Sequence, residues 1–165
     1  MKKKLVSILW ILSAAAVLAR SGPVFEKHFE NRTLRIDFYI TGNAEQEVVA
    51  IDQMYEQGVW AGNPGRLIDD YIKGAYFIKV YDVNTNRLIF SRGFDCIFSE
   101  YVTTDPAIKG IERTYHHSAL IPLPKKPVRF VLEKGDREHV YHPVFAKKIM
   151  PGSVDIRVEE PGGNV

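Results

Sequence analysis

The sequence predicts an all-β fold, an immunoglobulin-like β-sandwich of about seven short strands with one short helix. Three observations lead there. Apolar residues recur at every second position in several segments, prolines and small polar residues mark the corners between them, and one stretch alone carries helix-start chemistry. The composition agrees: of 165 residues, 45% are hydrophobic and 25% charged, the proportions of an ordinary globular domain.

Residues 1–19 read as a secretory signal peptide. Lys2, Lys3 and Lys4 give the positive start, Leu5 to Leu18 the apolar run, and Val17-Leu18-Ala19 a cleavage site after Ala19. The run of 14 residues is shorter than the ~20 that a membrane-crossing helix needs. The expectation is therefore an exported protein, periplasmic or secreted, with no stable membrane span after cleavage. Removing the signal leaves 19 basic and 20 acidic residues. That balance excludes a general nucleic-acid binder, which needs a basic excess to meet phosphates.

The domain itself is expected over residues 20–150. Leu34, Ile36, Phe38 and Ile40 alternate with Arg35, Asp37, Tyr39 and Thr41, the pattern of a half-buried strand. Glu47–Glu56 fits a strand, and Val48, Ile51 and Tyr55 also fit a short helical stripe. Gly58–Gly74 holds Gly58, Gly62, Asn63, Pro64 and Gly65, and reads as a long surface loop. Tyr76, Ile78 and Val80 form one face of the next strand. Asn84-Thr85-Asn86 supplies its turn, and Arg87–Phe94 returns as a hairpin partner.

Thr104 or Asp105 can cap the one expected helix, with Pro106 at its first position and Gly110 ending it. Arg113–Ile121 is a strand expected to stop at Pro122, with Pro124 and Pro127 framing a rigid connection. Val128, Phe130 and Leu132 mark another strand. Glu138–Ile149 is the last, and Pro143 within it predicts an edge position or a bulge. Residues 151–165 carry little apolar surface and read as a flexible tail or truncated linker.

Cys96 is the single cysteine, so no intramolecular disulfide can form and the core alone must hold the domain. Its place between Phe94 and Phe98 predicts a buried thiol. His116 and His117, adjacent on a strand, point to opposite faces, and so do His139 and His142. No zinc site and no cofactor is expected from that geometry. Neither a Gly-x-Ser-x-Gly elbow nor a His-Glu-x-x-His helix is present, and the glycine-rich loop lacks the Lys-Ser/Thr of a phosphate loop. No catalytic residue is expected. Trp60, Tyr71 and Tyr101, in or beside loops, are the candidates for stacking on a sugar or gripping a protein partner; the competing reading places them in the core.

Six segments, taken in order, are similar to a known family. They are Arg35-Ile-Asp-Phe-Tyr-Ile-Thr-Gly-Asn43, Gly58-Val-Trp-Ala-Gly62, Lys79-Val-Tyr-Asp82, Leu88-Ile-Phe-Ser-Arg-Gly-Phe94, Phe98-Ser-Glu-Tyr-Val-Thr-Thr104 and Pro122-Leu-Pro-Lys-Lys-Pro-Val128. Together they resemble the N-terminal domain of the IgA-peptidase-type zinc metallopeptidases (metallopeptidase family 64) of Bacteroides-like gut bacteria. The resemblance spans Val24 to Met150. It implies an immunoglobulin-like sandwich that precedes a peptidase domain, with zinc and the catalytic glutamate in the later domain. None of those catalytic residues has a counterpart here.

The expected role is thus a non-catalytic exported accessory domain that packs against a peptidase domain or binds another protein. Two alternatives are a self-sufficient module binding glycans or host proteins, and a fragment of a zinc-dependent peptidase lacking its catalytic domain. An accessory domain without its partner should expose an apolar patch or cover it by self-association.

Overall fold

A computed structural model describes residues 23–70 and 74–159. The signal sequence, Tyr71 and residues 160–165 lie outside the described residues. The order is α1 (Pro23–His28), β1 (Phe29–Gly42), β2 (Glu47–Gln57), β3 (Tyr76–Asp82), β4 (Leu88–Phe94), α2 (Ile97–Tyr101), α3 (Asp105–Ile108), β5 (Arg113–Pro124), β6 (Val128–Gly135), β7 (Tyr141–Ile149) and β8 (Ile156–Val158). The strands form two four-stranded sheets, β5-β1-β2-β8 and β4-β3-β6-β7. The expected sandwich is present. The second sheet has the strand order of an immunoglobulin-type sheet, whereas in the first β1 rather than β2 lies beside β5.

Alternation fixes which faces meet. Leu34, Ile36, Phe38 and Ile40 of β1 are at most 1% exposed, and they share one core with Tyr76, Ile78, Val80, Phe130 and Leu132 of the other sheet. Each such side chain contributes ~1.5–3 kcal/mol by leaving water. The β3–β4 hairpin closes as expected. Asp82 Oδ1 accepts the Asn84 and Thr85 amides at 3.0 and 2.8 Å, and Asn86 takes a left-handed φ of 54°, which asparagine tolerates. Glu47–Gln57 is a strand, not a helix. It pairs with β1 from Gly42↔Glu47 to Thr33↔Gln57, with one bulge opposite Asp37 and Phe38. Pro143 sits on the edge strand β7 beside a register shift, so it costs no ladder bond.

Four expectations need correction. Strand β5 continues through Pro122 to Pro124, because on an edge strand a missing N–H can face away from the ladder. Strand β7 starts only at Tyr141, since Asp136 caps a turn there by accepting the Glu138 and Val140 amides, both at 2.9 Å. Three short helices occur among the described residues rather than one; α1 and α2 have six and five residues, too few to show a helical period. The tail is not free at Ile156–Val158. These three residues add a parallel strand to the open edge of β2, anchored by Ile156 in the core.

Candidate cleft between the two edge strands

The sheet orders place β5 and β4 at one side of the sandwich, each with an open edge. A cleft of about 530 Å³ opens between them. Phe38, Ile78, Ala119 and the Trp60–Gly62 segment make its apolar part, with Arg92 of β4, Asp95 just after that strand, and His117 and Ser118 of β5 at its polar part. That size is within the usual range of ligand sites, ~300–1,000 Å³.

The registers explain why two polar residues stand there. On β4, Phe94, Arg92 and Phe90 pair with the core-facing Tyr76, Ile78 and Val80. On β5, Tyr115, His117, Ala119 and Ile121 pair with the core-facing Ile40, Phe38, Ile36 and Leu34. Arg92 and His117 therefore each interrupt the inward apolar series of an edge strand, and both line the same cleft. The sequence carried this signal: a charge or an imidazole at an inward position of a period-two pattern.

Within the cleft wall, two buried polar atoms lack a hydrogen-bond partner among the described residues, Trp60 Nε1 and His117 Nε2. Burial, and to a smaller degree the neighbouring His116, hold the His117 imidazole below the usual histidine pKa, so it is neutral at pH 7. Its ring packs on Phe38, 5.6 Å between centroids. Arg92 is exposed, its guanidinium 5.9 Å from the Phe90 ring centroid. Burying unmet polar groups costs about 1–3 kcal/mol each.

The three sequence candidates separate. Trp60 is 9% exposed and plugs the open side, its ring edge-on to Phe90 at 6.0 Å. Tyr101 is buried over α2, donating to the Ile111 carbonyl at 2.6 Å and packing on Phe98 and Tyr115. It is not at the cleft. Tyr71 lies outside the described residues. The expected surface loop is pinned as well: Ser91 N donates to the Leu67 carbonyl and Asp69 N to Ser91 Oγ, both at 2.9 Å.

Hydrolytic chemistry finds no assembled parts among the described residues. His117 and Ser118 are sequence neighbours on opposite faces, and the Ser118 hydroxyl donates to Asp37 Oδ1 at 2.6 Å. His116, on that same outer face, stacks on Tyr39 at 5.0 Å and stands 4.0 Å from Asp52. Cys96 is half-buried, and burial raises its thiol pKa, which disfavours the thiolate a nucleophile needs. No group of three or more His, Cys, Asp or Glu side chains among the described residues is placed to hold a metal ion.

The family model for the peptidase M64 N-terminus matches residues 24–146, from α1 into β7 and so all of the two-sheet body except the end of β7 and β8. The chain belongs to this family. A comparison with curated proteins gives no match. The cleft residues Trp60, Arg92 and His117 all fall inside the span matched to the M64 N-terminus. Among the described residues of this M64 N-terminal domain, no helix is long and apolar enough to cross a membrane.

Proposed function

We propose that this M64 N-terminal domain is a non-catalytic exported accessory module that docks a protein partner in the β4–β5 cleft, the partner being the peptidase domain of its own family. The observation that carries this reading is the pairing of Arg92 and His117 in one cleft. Both break the apolar pattern of an edge strand; His117 Nε2 is buried without a hydrogen-bond partner among the described residues, and Arg92 presents an exposed guanidinium at the same apolar surface. A protein partner suits such a surface: an apolar anchor fills the centre while a few polar groups fix its orientation. Leu120 of β5, 49% exposed, extends the apolar rim.

Export by residues 1–19 places the module in the periplasm or the medium, and N-terminal sequencing of the secreted chain tests it by finding Arg20 first. Docking is tested by titrating a family peptidase domain into this domain by calorimetry. Arg92→Glu and Leu120→Asp should each weaken binding about tenfold or more. Unchanged affinity in both variants would remove the cleft from the proposal, and zinc-dependent proteolysis by the module alone would remove the non-catalytic role.

A further inference from the structure

A second pocket, of about 420 Å³, lies at a different part of the molecule and is built from three separate elements. Lys27 comes from α1, Arg87 from the β3–β4 turn and Lys126 from the β5–β6 connection, with His28 and Asp82 between them. Backbone bonds tie these elements together. Lys125 N donates to the His28 carbonyl at 2.9 Å, Asp82 N to Arg87 at 3.0 Å and Val83 N to Pro127 at 3.4 Å. The frame is therefore fixed before any ligand arrives.

Charge is unbalanced within it. The side chains of Lys27, Arg87 and Lys126 have neither an ion pair nor a hydrogen bond among the described residues, although each costs free energy to hold near the others. The one carboxylate, Asp82, is committed elsewhere. Its Oδ1 accepts two amides and the Thr85 hydroxyl, and its Oδ2 stands 3.8 Å from His28 Nδ1. Nearby Lys125 is occupied by the Glu26 carbonyl at 2.7 Å. Burial first, then Lys27, Arg87 and Lys126 against the opposing pull of Asp82, keep the His28 pKa low, so His28 is neutral at pH 7. Three cations against one carboxylate leave a surplus of two positive charges.

We infer that this pocket binds a divalent tetrahedral oxyanion, a phosphate or sulfate, free or as an ester. Lys27, Arg87 and Lys126 supply the charge, Arg87 the forked donors, and His28 one further donor. This site shares no residue with the docking cleft, so its test is independent of the docking role.

The experiment follows the His28 imidazole by NMR in the intact chain while inorganic phosphate or sodium sulfate is added at about 150 mM background salt. Saturable binding is expected for both anions, and none for chloride at matched ionic strength. Sulfate, which does not titrate in this range, should bind more tightly as pH falls, because protonated His28 adds charge; by reciprocity sulfate should raise the His28 titration midpoint. Arg87→Ala with Lys126→Ala should weaken binding about tenfold or more while leaving the thermal midpoint without anion unchanged, as both residues are exposed. Tighter binding of O-phosphoserine or of glucose 6-sulfate than of the free ion would assign an ester source, and the reverse order a free ion; either upholds the site. A linear response without saturation, an equal response to chloride, or full binding by the double variant would overturn it.

Discussion

The Tyr76 hydroxyl donates to Glu47 Oε2 at 2.7 Å and so bonds one sheet of the sandwich to the other. Lys134 Nζ reaches the same oxygen at 2.6 Å. Tyr76 is fully buried, and burial followed by the adjacent carboxylate drives its phenol pKa far above the ordinary tyrosine range, so it stays a donor. Tyr76→Phe removes one hydrogen bond to a buried carboxylate and should cost ~1.5–3 kcal/mol in urea unfolding. In a Glu47→Gln background the same change should cost clearly less, and equal costs in both backgrounds would show that the pair does not couple.

Trp60 owes its position partly to Gly62. A β-carbon added at Gly62 would overlap the indole at Cζ2 and Cε2. Gly62→Ala should therefore push the ring out of the open side of the core, at a cost of ~1–3 kcal/mol for overpacking. Trp60 is the sole tryptophan among the described residues, so its fluorescence reports the change. A red-shifted emission with a lower urea midpoint is expected; an unchanged spectrum would mean that the loop shifts instead of the ring.

His117→Leu should separate binding from stability. It removes the unpartnered Nε2 from the cleft wall and completes the inward apolar series of β5. The variant should be more stable by ~0.5–2 kcal/mol and bind the peptidase domain more weakly. Lower stability would show that the imidazole is a structural core group.

Acidification should lower stability in two steps. Burial is the leading cause that depresses the folded pKa of both His28 and His117 below the ordinary 6.5. The unfolded chain then takes up protons first as pH falls below 6.5, so the stability these histidines contribute is full above that value and is lost on the way down through their folded pKa. Asp82, held low chiefly by the Thr85 amide, adds a later loss, beginning near its ordinary 3.8 and finishing at its lower folded value. Urea midpoints between pH 8 and pH 3 measure both limbs. His117→Leu should flatten the first limb and leave the second, whereas stability rising below pH 6.5 would contradict the burial of these rings.

The sheets were legible because their signal is repeated. Leu34, Ile36, Phe38 and Ile40 mark one face four times over, and Asn84–Asn86 and Pro143 carry turn and edge chemistry that depends on no distant contact. Strand β8 was not legible. It is three residues with one buried apolar side chain, and what orders it is the vacant edge of β2 rather than its own pattern. The placement of Trp60 was left open between core and partner surface for a related reason: the glycines and proline around it describe loop geometry and are silent on which way a single large ring turns. Arg92 and His117 were visible as exceptions, yet only the pairing of β4 with β3 and of β5 with β1 brings both exceptions to one cleft.

Hydrogen–deuterium exchange of the intact chain, alone and mixed with a family peptidase domain, tests the docking role most directly. Slowed exchange confined to β4 and β5, the Leu88–Phe94 and Arg113–Pro124 segments, is the predicted result, with the chain recovered uncut and no peptide released by it alone. Slowed exchange on other strands with β4 and β5 unchanged, or no protection at all at saturating partner, would contradict it.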